Sequence, residues 1–264
     1  MLLAIDIGNS NITLGGIQEG EILFEAHLAT DSTKTSDEYG VEIKDMLDLF
    51  GARVEEIRDC IVASVVPPVF NSVRNGIVKL TGKEPMVVGP GIKTGINILL
   101  EDPGATGADL IAAAVAAVDA YPTPLTVVDM GTATTIAVID DGNAFLGGAV
   151  LPGLRISAEA MSSRASLLPG IQLERPRRAI GKNTVECMQS GLMFGAAAMV
   201  DGLIDRMEAE LGRPTTVVAT GGVARFVVPL CRHEIALERD LQLKGLDLLY
   251  RKNRPRKEAA PDPR

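Results

Sequence analysis

Tryptophan is absent from these 264 residues, and only six Phe and three Tyr supply aromatic rings. A core without large rings is built from Val, Ile, Leu, Ala and Met, a composition that suits parallel sheets and close helix packing. The two histidines, His27 and His233, are too few for a His-based triad or a His-rich metal site. Three cysteines, Cys60, Cys187 and Cys231, form no close pair. That argues against a disulfide framework or a zinc site and predicts a reduced, cytoplasmic protein. No stretch of about 18 apolar residues lacks a charge or a breaker; the longest candidate, residues 110–120, carries Asp119. No membrane partner is expected. Asp6 is reached without a basic leader or a cleavage pattern, so no secretory signal is expected. Gly-x-x-x-x-Gly-Lys-Ser/Thr does not occur, and Gly-x-Gly-x-x-Gly follows neither leading strand. These absences exclude the P-loop and disfavour a dinucleotide-binding dehydrogenase.

Basic charge is scarce outside the end of the chain. The formal net charge is −8, while residues 251–264 hold six Lys or Arg against two Asp or Glu, leaving about −12 on the rest. A phosphate backbone demands a basic face, so no nucleic-acid partner is expected. The Pro- and charge-rich end, residues 251–264, reads as a solvated, disordered basic tail. What remains is ordinary globular composition, 46% hydrophobic and 23% charged, with length for one large domain or two of ordinary size.

An internal repeat decides between those two. Leu2-Leu3-Ala4-Ile5-Asp6 is an apolar strand ending in an acid, followed by the turn Ile7-Gly8-Asn9-Ser10-Asn11, a strand, an acid-Gly turn and another strand. Leu125-Thr126-Val127-Val128-Asp129 repeats the pattern with the turn Met130-Gly131-Thr132-Ala133-Thr134. The two segments align without gaps at an offset of 123 residues. A repeat at half the chain length predicts two copies of one α/β fold. Tyr121-Pro122-Thr123-Pro124 breaks the chain before the second copy, which places a boundary between residues 1–121 and 122–250. Helices are expected over residues 37–50, 69–80, 106–121, 154–163, 183–211 and 241–251. Further strands are expected over 60–66, closed by Pro67-Pro68, and over 85–88 and 215–220.

An Asp at the carboxyl end of a strand, followed by Gly and small hydroxyl or amide residues, is a phosphate-binding device. The Gly admits an anion close to the backbone, N–H and O–H groups donate to phosphate oxygens, and the Asp holds a cation or its water. Two such turns, with a strand at 215–220 and Gly221-Gly222 behind them, are laid out as in the superfamily of acetate kinase, sugar kinases, Hsp70 and actin, which the chain resembles throughout. That resemblance implies two duplicated ribonuclease H-like lobes with mixed sheets flanked by helices and a nucleotide cleft between them.

Six stretches resemble type III pantothenate kinase more specifically. They are Asp6-Ile7-Gly8-Asn9-Ser10-Asn11, Lys34-Thr35-Ser36-Asp37-Glu38-Tyr39, Gly107-Ala108-Asp109, Asp129-Met130-Gly131-Thr132-Ala133-Thr134-Thr135, the run from Gly147 to Leu154, and Gly181-Lys182-Asn183-Thr184 with Met188-Gln189-Ser190-Gly191. The resemblance implies phosphorylation of the terminal hydroxyl of pantothenate by ATP with Mg2+, the first step of coenzyme A biosynthesis. It also implies a homodimer and a monovalent cation, K+ or NH4+. Carried over by position, Asp109 is the general base. Asp6, Ile7, Gly8, Asn9, Ser10, Asn11, Ile12, Thr13, Thr132, Gly221 and Gly222 meet ATP and its phosphates. Asp129 holds the monovalent cation, and Leu100, Gly107, Ala108, Asp109, Leu110 and Thr184 line the acceptor.

On its own residues, Asp109 reads equally as an acid favoured by a helix dipole, and Thr184 as a helix N-cap. The family's Arg after the catalytic Asp is Leu110 here, and its Tyr seven residues before the motif's Gly is Leu100. Losing the Arg removes a charge-assisted partner worth roughly 1.5–3 kcal/mol. Three readings follow: a pantothenate kinase using other residues such as Arg155 or Arg164, a kinase for a different small alcohol, or a non-catalytic nucleotide-binding relative. The long helix at 183–211, with Ala196-Ala197-Ala198, is expected to pack against a second copy.

Overall fold

A computed structural model describes residues 1–254. The chain divides into two compact units, Met1–Gly95 with the chain from Leu246 onward, and Ile96–Gly245. The boundary expected after residue 121 falls inside the second unit.

The first unit contains β1 (Leu2–Ile7), β2 (Asn11–Gln18), β3 (Glu21–Ala29), α1 (Ser36–Leu49), β4 (Asp59–Ser64), α2 (Pro67–Thr81) and β5 (Met86–Val87). Its sheet runs β3-β2-β1-β4-β5, with β1 antiparallel to β2 and parallel to β4. Leu3, Ile5 and Ile7 alternate onto the face that packs Tyr39, Ile43 and Leu47 of α1 and Val69, Val73 and Ile77 of α2. A capping box starts α1: Glu38 N donates to Thr35 Oγ1 at 3.3 Å, and Thr35 N donates to Glu38 Oε2 at 2.7 Å. Pro67-Pro68, expected to close a strand, instead opens α2. Proline suits a first turn because the N–H it lacks has no helical partner there.

The second unit contains β6 (Asn97–Ile98), α3 (Ala108–Ala120), β7 (Leu125–Met130), β8 (Ala133–Ile139), β9 (Ala144–Pro152), α4 (Leu154–Arg164), α5 (Thr184–Leu211), β10 (Thr216–Thr220), α6 (Ala224–Val227) and β11 (Ile235–Leu237). A last helix, α7 (Leu241–Asn253), begins here and ends in the first unit. The sheet runs β11-β10-β7-β8-β9-β6. Without the short β6, that order and its mixed directions repeat the first sheet, so both units carry the same α/β design. One face buries Val128, Met130 and Ile136 against α4, α5 and α6. The other face meets α3, an Ala-rich helix whose Ala112, Ala113, Ala114 and Ala117 are fully buried. Small side chains there let α7 close in as well: a Cβ on Gly245 would stand 1.9 Å from Ala112 O.

The repeat carries one correction. In the first unit Asp6 pairs with Thr13, whereas in the second Asp129 pairs with Thr135. The second turn is therefore one residue shorter, and the ungapped alignment gains a gap inside it. Gly8 N reaches over to Asn11 O in one turn, and Gly131 N to Ala133 O in the other.

Two further expectations change. The helix expected to end at Arg251 runs on through Lys252 and Asn253, assigned to the tail. Arg251 pairs with Asp247, and Asn253 exchanges two hydrogen bonds of 2.8 Å with the backbone of Lys93. The rest of the tail, residues 255–264, lies outside the described residues. In α5, long and apolar enough to cross a membrane by length and composition, half of the most apolar window is buried inside the protein. Its Ala196 and Ala197 pack in the core of their own unit, so only Ala198 of that trio is exposed.

Candidate active site

The first of the two repeated turns joins β1 to β2. Ile7 and Ile12 are fully buried, so their side chains belong to the core and only their backbone faces the turn. Between them Asn9, Ser10 and Asn11 are exposed. Thr30, which no motif indicated, braces them: its hydroxyl donates to Gly8 O at 2.7 Å and its N–H to Ser10 O at 3.1 Å. Asp6 sits half-buried at the end of β1. Thr13 Oγ1 lies 3.3 Å from His27 Nδ1 on the neighbouring strand.

The remaining site residues belong to the second unit. Thr220, Asp129 and Thr135 pair directly across β10, β7 and β8, which places the three side chains in one row on one face. Gln242, in the first turn of α7, bridges two members of that row, Asp129 and Thr220. Its Nε2 donates to Asp129 Oδ2 at 2.8 Å, and its Oε1 accepts from Thr220 Oγ1 at 3.3 Å. Gly221 follows with a φ of +94°, where a Cβ would stand 2.6 Å from the Met130 backbone and 2.7 Å from Asp129 Oδ1. Both the left-handed backbone and the close approach call for glycine. Gly222 faces open space. Thr132 is half-buried, and Gly153, just before α4, lies against the backbone of Gly131 and Thr132.

Gly107 is the N-cap of α3, and Ala108, Asp109 and Leu110 are its first residues. Asp109 Oδ1 accepts from Leu110 N at 2.7 Å. Burial raises the pKa of Asp109 against the pull of that hydrogen bond. Asp129 is raised to about 6, first by burial and then by the charge of Asp109, with Gln242 opposing both. The two carboxylates are thus electrostatic neighbours. A raised carboxyl is a stronger base once ionised, which suits proton abstraction from an alcohol.

The residues expected to line the acceptor are less gathered. Leu100 packs towards Gly147 of β9, 3.5 Å from where a Cβ there would lie. Thr184 stands exposed at the first position of α5. It is not the cap: Asn183 is, its Oδ1 accepting from Glu186 N at 2.9 Å. Gln242 and Thr30 were invisible in sequence because their partners lie 113 and 22 residues away.

The chain shares its fold with sugar kinases of the actin and Hsp70 type. A ROK hexokinase from Thermus thermophilus superposes with a TM-score of 0.51 at 13% identity, covering 94% of this chain and 97% of that one. A Sinorhizobium meliloti protein provisionally named a 2-dehydro-3-deoxygalactonokinase gives 0.58 at 12% identity, covering 100% of both. A conserved Campylobacter jejuni protein provisionally named a Baf family transcriptional activator gives 0.61 at 19% identity, covering 95% of this chain and 98% of that one. A sequence model described as type III pantothenate kinase matches residues 2–206. With more than three-quarters of its length matched, the chain belongs to the type III pantothenate kinase family.

Proposed function

We propose that the protein transfers the γ-phosphoryl group of ATP to the terminal hydroxyl of pantothenate. The observation that carries this reading is Asp109, a carboxylate at the start of α3 whose pKa burial raises and whose charge in turn raises that of Asp129, in a chain of this family. Asp109 orients the alcohol and accepts its proton as the oxygen attacks the γ-phosphorus. The bond from that phosphorus to the bridging oxygen breaks and ADP leaves. The remaining work is positioning and charge neutralisation. Backbone N–H and side-chain donors of the turn from Asp6 to Thr13, with Thr132 and Gly221-Gly222, are the proposed partners of ATP.

The residues fit the charges the family implies. Asp129 is held by a neutral amide next to a like charge, and the buried Thr135 Oγ1 in the same row has no hydrogen-bond partner. Those oxygens suit a monovalent cation, which supplies positive charge beside two acids when bound. Among the described residues no three His, Cys, Asp or Glu side chains gather into a metal cage. Magnesium arriving on a nucleotide needs only one or two carboxylates besides its phosphates, and Asp6 is the proposed one.

Leu110 and Leu100 favour a second reading, a kinase for a more apolar small alcohol, since neither side chain can pair with a carboxylate. Of the two arginines considered as replacements, Arg155 starts α4 beside the Thr132 turn, whereas Arg164 ends that helix. Nine residues separate them, or about 14 Å of helix axis, so Arg155 is the better placed. ATP turnover with and without pantothenate at high potassium tests these readings. Pantothenate-dependent ADP release supports the first, and turnover only with another alcohol the second. Nucleotide binding without turnover leaves the non-catalytic relative.

A homodimer is proposed through α5. Val185, Gly191, Ala198 and Met199 are exposed on it, and Gly191, Gly195 and Met199 line an apolar groove shared with Leu151 and Leu154.

A further inference from the structure

We infer that Gln242 is a positioning residue for Asp129, holding one carboxylate oxygen so that the other stays turned towards the glycine turn at Gly221. Gln242 lies outside the residues matched by the family. The inference rests on the reading of Asp129 as a cation ligand.

Both ends of the Gln242 amide are engaged. Nε2 meets Asp129 Oδ2 at 2.8 Å and Oε1 meets Thr220 Oγ1 at 3.3 Å. A carboxylate accepts only, while a hydroxyl both donates and accepts, so the acid dictates which way the amide faces. Thr220 Oγ1, which shares its proton between this Oε1 and Arg239 O at 3.4 Å, then limits the freedom to swing away. With Oδ2 occupied, Oδ1 lies against Gly221, 2.7 Å from the place a Cβ would take. The helix that presents Gln242 is itself brought close by Gly245 against Ala112 of α3. A neutral donor is the residue type this task requires. Lysine or arginine would orient the carboxylate equally well but would cancel the charge a cation needs. Glutamine orients it and leaves the full negative charge in place.

The test uses the full-length protein without nucleotide or acceptor. Thermal unfolding is followed against potassium concentration, with tetramethylammonium chloride holding ionic strength constant. Wild-type protein is expected to gain stability with potassium. Gln242→Leu is expected to raise the half-stabilising potassium concentration about tenfold, the usual effect of losing a residue that orients a metal ligand. Gln242→Lys, which brings its own positive charge against Asp129, is expected to lose the potassium response altogether. Thr220→Val frees the far end of the amide and is expected to raise the half-stabilising concentration by a smaller factor, so the inference stays testable if Gln242→Leu does not fold. Wild-type response with unchanged half-stabilising concentrations in the variants overturns the role of Gln242 alone. Wild-type protein indifferent to potassium overturns the cation reading of Asp129, and this inference falls with it.

Discussion

Burial, and then the charge of Asp109, push the Asp129 carboxyl up to about 6 from an ordinary value of 3.8. The folded protein therefore binds that proton more tightly than the unfolded chain. This contribution to stability is complete below the unfolded value and is lost as pH rises through 4 to 6. Near pH 7 the ionised acid costs on the order of 2–3 kcal/mol in the absence of a cation. Asp129→Asn is expected to raise the melting temperature by several degrees at pH 7 in potassium-free buffer, with the gain vanishing near pH 4, as calorimetry would record. Asp109→Asn is expected to abolish ADP release while leaving ATP affinity nearly unchanged in a calorimetric titration; surviving turnover would refute the base assignment. Leu110→Arg restores the cation the family keeps beside its base. Its KM for pantothenate is expected to fall about tenfold or more, and an unchanged KM would show that the acceptor does not reach this position. Asp109 was legible in sequence because Gly107-Ala108-Asp109 is a local motif. Gln242 was not, because nothing near it in the chain reports on Asp129, 113 residues away.

Helices and strands were legible wherever local chemistry suffices. The β7–β8 hairpin lies where the pattern put it, and α1 runs within one residue of its expected bounds. Misreadings arose where neighbours decide. Pro67-Pro68 is compatible both with the end of a strand and with a helix start, and α2 packing against α1 selects the latter. The apolar side of α5 holds Ala196 and Ala197 with equal justice for a second copy or for its own core, and the core takes them. The contact of α7 with α3 gives a sharp test. Because a Cβ on Gly245 would meet Ala112 O at 1.9 Å, Gly245→Ala forces backbone movement. A loss of about 1–3 kcal/mol, the usual cost of overpacking, is expected in urea unfolding.

The whole chain is acidic, at −8, yet its proposed cargo is anionic. Selective binding of ATP therefore rests on local donors and cations rather than on a favourable long-range field. The proposed homodimer makes a direct prediction. Light scattering is expected to give twice the 27.9 kDa chain mass, with a single charged replacement of the exposed Met199 shifting it towards monomer. A wild-type monomer at micromolar concentration would refute it.

The repeat, the mixed α/β design, the strand-ending acids and the Asp109 motif were all present in the order of the residues. Each arises from a short-range rule: alternation, glycine-bearing turns, or a helix that begins where an acid is favoured. The one-residue difference between the turns, the capture of Ala196 and Ala197 by their own core, and the amide that holds Asp129 required the folded chain. They depend on which distant backbones approach within a few ångströms, and a linear pattern does not encode that distance.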